Sequence, residues 1–598
     1  MKFGLLFITQ FLFLPALAYS QLVLDVVYPR EEQVVTAADS TFIFGSVSDP
    51  QARVRVNQLT MRVYRNGAFL GMVPVSDGDF TFECEADLDS SHVILTRKVR
   101  VLPFLATTPT DTLAIDSAYV FPQTDIELMA GDFLKVAFKG TPGLAARCSI
   151  PGVFENGIMT ETAPLQEFYW GEAVFGSGRA SVTPEVKGIY SGVYKIPQNV
   201  KVDTAHIVFH LGEVDGSNLE IIAPGRLSVH DSLIPQIAEL STELTVARSG
   251  PGLGYQQFLP EGVKLVITGK RGAYLRARLN DSESVWIPEK SVRLLPAGTP
   301  IPWSKVSFVR TETLEKKVRV HIYLQECLPF KIEQTTSPSG LIITVYGATS
   351  DTDWIRYDFE DVAIKNIRWR QPANRVYQLI IELNHKQQWG FNPYYENKTL
   401  VVDIKKPPKK LKLNELLVCI DPGHAPADGA VGPTRLKEKD ANLQLSLFLK
   451  RKLEKKGATV FLTRTDDYGA SLSVRPKLAA FVEADILLSI HHNALPDGVN
   501  PFTHRGSSTY YYHVQSQPLA TAILSRLEEK LHLKNFGLFY DNLALCRPPQ
   551  MPAVLVESAF IMHPEEEMLI ASRKYKEQTA EAVVKGIEDF LKQARKEN

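Results

Sequence analysis

Cysteine is scarce: five residues in 598 (Cys84, Cys148, Cys327, Cys419 and Cys546), odd in number and widely scattered. Disulfides are therefore not the staple of this chain, and at least one thiol is unpaired. Neither sign of charge prevails, because 66 Lys and Arg face 67 Asp and Glu. The stretch from Leu411 onward is balanced as well. A nucleic-acid or anionic-membrane partner would demand a basic half, and none exists. Long apolar runs are missing too. The run that opens the chain, Phe3 to Leu17, is shorter than the ~20 residues that cross a bilayer. With Lys2 before it and Ala16-Leu17-Ala18 or Ala18-Tyr19-Ser20 behind it, it reads as an export signal over 1–20. The mature chain is expected from Gln21, with no transmembrane segment after cleavage, and the lack of a Cys just past the cleavage site argues against a lipid anchor. No internal repeat is evident.

What is there is ordinary globular material: 44% apolar and 22% charged residues, with 37 Gly and 37 Pro. At roughly 100 to 200 residues per domain the length implies about four domains. From 21 to 102, short apolar runs alternate with turn chemistry. Asn66-Gly67 lies between Met61 to Tyr64 and Ala68 to Val75, and Asp77-Gly78 precedes Phe80 to Cys84. This stretch resembles a bacterial immunoglobulin-like β-sandwich. The β pattern continues from 103 to 237 as a module of unknown type. Within 238–298, Ala247-Arg248-Ser249-Gly250-Pro251, Leu259-Pro260-Glu261-Gly262 and Val285-Trp286-Ile287 resemble a bacterial SH3-like barrel. From 299 to 405, alternation in Val318 to Leu324, Leu341 to Tyr346 and Val376 to Leu383, then Trp389-Gly390-Phe391, resembles the small localisation domain that precedes the catalytic domain in many secreted wall amidases. The Lys- and Pro-rich stretch 406–413 reads as a solvated linker.

After Asn414 the period changes. Leu416 to Ile420 is a buried-strand run, Ala441 to Lys456 follows at helical spacing with Asp440 as N-cap, and Thr459 to Leu462 is the next strand. Strand, helix, strand at this spacing is a βαβ unit and implies a parallel sheet covered on both faces. Ile486 to Ile490 and Ala553 to Val556 are further strands, and Pro476 to Ala484, Pro518 to Leu531 and Glu577 to Ala594 are helices. The fold class is therefore multidomain: several all-β amino-terminal modules, then a carboxyl-terminal α/β domain over 414–598 with a mostly parallel sheet flanked by helices.

Ligands of open α/β sheets bind beyond the carboxyl ends of the strands. Three such ends carry ionisable residues: His424 after Asp421-Pro422-Gly423, His491 directly after Ile490, and Glu557 directly after Val556. Glu438 joins them from the loop expected before the Ala441 helix. Taken singly, a His after a strand is a loop or core histidine far more often than a ligand, and Glu438 in its charge run is a surface residue. Together, two imidazoles and a carboxylate with one open position describe a catalytic zinc site, which needs a further, unligated carboxylate to move protons.

Cys419-Ile420-Asp421-Pro422-Gly423-His424, Glu438-Lys439-Asp440, Thr463-Arg464, Ser489-Ile490-His491-His492-Asn493-Ala494, Gly506 to Tyr511 and Pro552 to Glu557 occur in order. This series resembles the zinc-dependent N-acetylmuramoyl-L-alanine amidases of the type-3 amidase family, from Asn414 to the C-terminus. The resemblance implies His424, Glu438 and His491 as ligands of one Zn2+, Glu557 as the catalytic carboxylate, and Arg547 and Asn493 at the site margin. It implies an exported enzyme, periplasmic or wall-associated, that acts on peptidoglycan, with envelope or divisome proteins as candidate partners. The reaction would be hydrolysis of the amide between N-acetylmuramic acid and L-alanine of the stem peptide, in wall turnover or daughter-cell separation. Ala425-Pro426 stand where the family has two glycines, Ala480 where it has Asn, and His492 is an added imidazole. Successive strand side chains face opposite ways, so only one of His491 and His492 meets a metal, and His491 holds the family position.

The alternative is a catalytically silent wall-binding scaffold, against which the intact His424, Glu438, His491 and Glu557 stand. A protein-cleaving zinc peptidase would be supported by a His-Glu-x-x-His helix, which the sequence lacks. Regulated family members carry a lid helix after the third ligand. Here Pro496, Gly498 and Pro501 make the stretch from Asn493 to Gly506 a loop. The isolated domain from Asn414 is accordingly expected to work without an activator.

Overall fold

The computed structural model describes residues 21–37, 39–102, 106–162, 186–212, 218–230, 235–358 and 362–597. The signal segment read over 1–20 lies outside them. Among the described residues, everything before 406 is β structure apart from one short turn of helix at Glu289–Ser291, and α-helices occur only after 437.

An eight-stranded sheet takes in 24–101. The hairpin expected at Asn66-Gly67 forms, with Arg65 included in its loop. A seven-stranded sheet lies within 115–222. A ten-stranded sheet combines the strands of 236–294 with Ile126–Met129, Val202–Ala205 and Leu227–His230. Ile126 makes that join, paired in parallel with Leu227 and antiparallel with Arg271. Sheet pairing therefore runs across the division read at 237 and 238. Ladder partners this far apart in sequence leave no trace in local periodicity. In 304–405, a five-stranded and a four-stranded sheet share one core around Val320, Ile343, Tyr377 and Val402.

The linker reading of 406–413 needs correction. Lys409 and Lys410 are exposed, but Leu411 and Leu413 are buried in the carboxyl-terminal core. Alternation turns both leucines to one side and Lys412 to the other.

The carboxyl-terminal region alternates strands and helices: β1 (Leu417–Pro422), α1 (Glu438–Lys455), β2 (Thr459–Leu462), α2 (Val474–Phe481), β3 (Ile486–Asn493), β4 (Ser507–Tyr511), α3 (Gln517–Leu531), β5 (Asn535–Tyr540), β6 (Ala553–Phe560), α4 (Pro564–Ala571) and α5 (Arg573–Glu597). The sheet order is β2-β1-β3-β6-β4-β5, and every neighbouring pair is parallel except β6 with β4. Leu445, Leu449 and Leu453 of α1 and Val583, Ile587 and Phe590 of α5 cover one face of the sheet, on Val418, Ile420, Leu488, Ile490, Val554 and Val556. Ala479 of α2 and Met551 cover the other, on Cys419, Leu487 and Ala553. Cover on both faces is why these strands read as continuous apolar runs.

Residues 494–506 form turns and loop without helix, as the prolines require. All five cysteines are free thiols. No helix among the described residues is long and apolar enough to cross a membrane.

Candidate active site

The first candidate ligand rides on a loop that two arginines hold in place. Just past β1, Arg464 donates to the carbonyls of Pro422 (2.8 Å), Gly423 (2.9 Å) and Lys439 (2.7 Å). Arg475 donates to the carbonyls of Pro422 (2.8 Å) and Ala425 (3.2 Å) and to that of His424. The fully buried Asp421 carboxylate accepts from Arg475 (3.0 Å), Ser489 (2.8 Å) and Thr463. Burying three charges is tolerable because each is held by three or more hydrogen bonds. Thr463-Arg464 stood out in the sequence, whereas Arg475 sits inside α2 with no local signature.

The loop is tight. His424 and Ala425 both take left-handed backbone conformations, with φ of 64° and 70°. This is the region glycine favours, a physical reason why a glycine suits the place that Ala425 fills. A Cβ on Gly423 would fall 2.2 Å from the His491 ring, and one on Gly429 would fall 2.6 Å from a Glu438 oxygen. Both glycines are there to let the site close up.

Glu438 corrects the expectation of a loop residue. It is the first residue of α1, whose N-cap is Lys437 and not Asp440. The bridge between Val431 and Lys437, with the Glu438 amide bonded to the Ala430 carbonyl, delivers the chain to the helix already ordered. The buried Glu438 carboxylate spans the two histidines: Oε2 lies 2.9 Å from His424 Nε2 and Oε1 lies 3.0 Å from His491 Nδ1. Burial pushes its pKa up, but hydrogen bonds to the two imidazoles win and hold it well below the usual carboxylate range. The imidazoles meet edge to face at 5.0 Å.

The strand β3 runs on through Asn493, so His491 and His492 face opposite sides. His491 joins the ligand group, whereas His492 is buried behind it, with Nδ1 2.7 Å from Asn442 Oδ1. Burial pushes the His492 imidazole down to about 4.

Glu557 stands on β6, paired in register with His491 on one side and Ser508 on the other. Its Oε2 is shielded and has no partner. Burial, reinforced by the charge of Glu438, pushes its pKa well above the ordinary value. Asn493 is buried and adjoins Tyr510, whose hydroxyl is pushed up by burial and then by the charge of Glu557. Tyr510 lies within the Gly506 to Tyr511 motif, where nothing local sets it apart from Tyr511.

Arg547 makes its contacts with a β module. Its guanidinium lies over the rings of Tyr255 (5.2 Å) and Phe258 (5.1 Å) and donates to Asn542 Oδ1 (2.8 Å), at the seam with the ten-stranded sheet. Cation–π contact thus ties this side chain to a module distant in sequence.

One ligand atom from each of His424, Glu438 and His491 lies within 4.8 Å of the others, a geometry able to hold a metal ion. Two imidazole nitrogens and one carboxylate oxygen form a donor set that suits zinc, and the orphaned Glu557 oxygen beside them is what an acid/base next to such an ion requires.

Residues 418–589 match the family model described as N-acetylmuramoyl-L-alanine amidase. The Staphylococcus aureus protein named "Probable cell wall amidase LytH" is 34% identical over 201 residues, which is 33% of this chain and 65% of that protein. The chain thus spans just under two thirds of that relative's length. A solved N-acetylmuramoyl-L-alanine amidase from Clostridium difficile 630 is 36% identical, over 30% of this chain and 98% of its own, with a TM-score of 0.29. AmiC2 of Nostoc punctiforme, also an N-acetylmuramoyl-L-alanine amidase, is 34% identical over 30% of this chain and 97% of its own, with a TM-score of 0.28.

Proposed function

We propose, from a carboxyl-terminal region that carries an N-acetylmuramoyl-L-alanine amidase domain, that this chain is an exported peptidoglycan hydrolase. It cuts the amide between the lactyl group of N-acetylmuramic acid and L-alanine of the stem peptide, in wall turnover or daughter-cell separation. The observation that carries the reading is the convergence of His424, Glu438 and His491 beside an unpartnered Glu557 carboxylate.

His424, Glu438 and His491 are the residues that would hold zinc. When bound, zinc supplies Lewis-acid chemistry, activating water and polarising the scissile carbonyl. Glu557 takes the proton from the attacking water as the carbon–oxygen bond forms. It then gives that proton to the alanine nitrogen as the carbon–nitrogen bond breaks, leaving a muramic carboxyl group and a free amine. A carboxyl that burial disposes to keep its proton suits the second task. Arg464 and Arg475 hold the loop that aims His424, and Asn493 borders the substrate's path. The upstream β modules keep the enzyme near an insoluble polymer, where several weak contacts raise its effective concentration.

The test uses purified sacculi and the full chain. Glu557→Gln is expected to keep zinc and lose turnover, whereas His424→Ala and His491→Ala lose both. Products of the native chain should be stem peptides with free amino-terminal L-alanine and intact glycan. Loss of zinc from Glu557→Gln, or new reducing sugar ends, would overturn the assignment.

A further inference from the structure

The added imidazole behind the ligand group, His492, has contacts that define one task. Its side chain is enclosed, at 1% exposure, and so is Asn442 at 0%. The Asn442 amide nitrogen donates to Glu438 Oε1 (3.2 Å) and toward the Gly423 carbonyl (3.4 Å). The reverse amide orientation would set the Asn442 oxygen against a carboxylate and a carbonyl, both acceptors, so the nitrogen faces the ligand. Asn442 Oδ1 then faces His492 Nδ1 at 2.7 Å as an acceptor, and the imidazole donates Nδ1–H. His492 contributes a second donor to the same carboxylate oxygen, its backbone N–H at 3.3 Å from Glu438 Oε1. The other ring nitrogen, Nε2, is buried without a partner, and the ring leans on Tyr575 at 6.1 Å. The imidazole is thus committed to orienting one amide, which orients one carboxylate.

We infer that His492 is a positioning residue for the metal centre: through Asn442 it fixes which way the Glu438 carboxylate presents its oxygens, and so sets how tightly the centre holds zinc. The inference rests on the proposed zinc site. Glu438 makes its own contacts to both imidazoles, and its reach across them depends on a fixed rotamer. An apolar ring at 492 leaves Asn442 Oδ1 unpaired in a dry interior. The amide that bonds Glu438 is then no longer held from its far side, and the carboxylate loses a fixed partner. Residues that orient metal ligands from behind typically change metal affinity by roughly 10- to 100-fold when removed.

The experiment measures zinc affinity of the full chain by competition with a chromophoric chelator. The variants are His492→Phe, which keeps the ring and removes the donor, and His492→Asn, whose amide nitrogen can stand where Nδ1 stands. His492→Phe is expected to weaken zinc binding by about 10- to 100-fold, and His492→Asn to restore most of it. A folded His492→Phe chain with native affinity, or a His492→Asn chain as weak as the Phe variant, overturns the inference. Should the Phe variant fail to fold, Asn442→Leu takes its place under the same two criteria. A native chain that binds no zinc overturns the metal reading itself and this inference with it; native binding matched by the variant overturns only the role of His492.

Discussion

Of the β regions that lean on the amidase domain, two do so by contrasting physics. The 304–405 region reaches into it. Trp389, fully buried, belongs to the core of the α/β domain and packs on Phe590 of α5 at 5.6 Å. Around it, Gln334 donates to Gln388 and Gln515, Gln387 donates to the Gln515 carbonyl, and the Phe391 amide bonds to the Pro549 carbonyl. The 24–101 region instead rests against the surface. Phe42, Phe44 and Leu70 meet Leu495, Phe560 and Met562. Around that patch, Thr36 donates to Asp497, Arg435 grips Asp25 at 2.6 and 2.7 Å, and Arg62 reaches Glu565 at 3.5 Å. A plug shared between cores makes two regions one folding unit. A greasy patch with a charged rim makes a dock, and this dock sits on the loop that follows His491.

The largest effect should come from the plug. Trp389→Ala is expected to cost the α/β domain about 3 to 5 kcal/mol, measured by hydrogen exchange in β1, β3 and β6, while the 24–101 sheet keeps its protection. For the same reason, a fragment beginning at Asn414 lacks Trp389 and two buried leucines and should unfold more readily than one beginning at 299. Equal stability of the two fragments would remove the distinction between plug and dock. At the dock, Leu495→Ala is expected to cost about 2 to 4 kcal/mol locally, seen as faster exchange in 494–500 and in Ser40–Val47, with the α5 core unmoved.

A smaller effect is a pH slope. Burial raises Glu567, which accepts from the Thr434 amide in the loop that carries Arg435, from 4.5 to about 7. The folded state therefore binds this proton more tightly than the unfolded chain, so its contribution is present below 4.5 and is lost as pH rises toward 7. Glu567→Gln should flatten that fall, measured as denaturant stability at the two ends of the window. Smallest of all, Arg435→Ala should cost under about 1 kcal/mol and nothing at high salt, because the pair is 64% and 31% exposed.

The catalytic half was legible where chemistry follows local pattern. Apolar runs ending in His424, His491 and Glu557 can be read without a structure, because a strand and its end are local. Glu438 was identified but set in a loop, since the bridge at Val431 and Lys437 that starts α1 early is a pairing and not a propensity. Arg475, Asn442 and Tyr510 were illegible: each works through a partner about 50 residues away. The destinations of Trp389 and Arg547 were likewise set by other domains, and the ten-stranded sheet by strands whose partners lie about 100 residues off.

The seat of Phe42 and Phe44 also constrains assembly. Thr36 finds its partner 461 residues downstream, so this module is synthesised well before the surface it docks on. Chains fold from the amino terminus as they emerge, and this aromatic face must wait, uncovered, for a surface that does not yet exist. A chain cut short of β6 would present sticky aromatics and no Glu557. Once β6 is made the face can be covered, so burial of Phe42 reports that the surface around Phe560 and Met562 is in place.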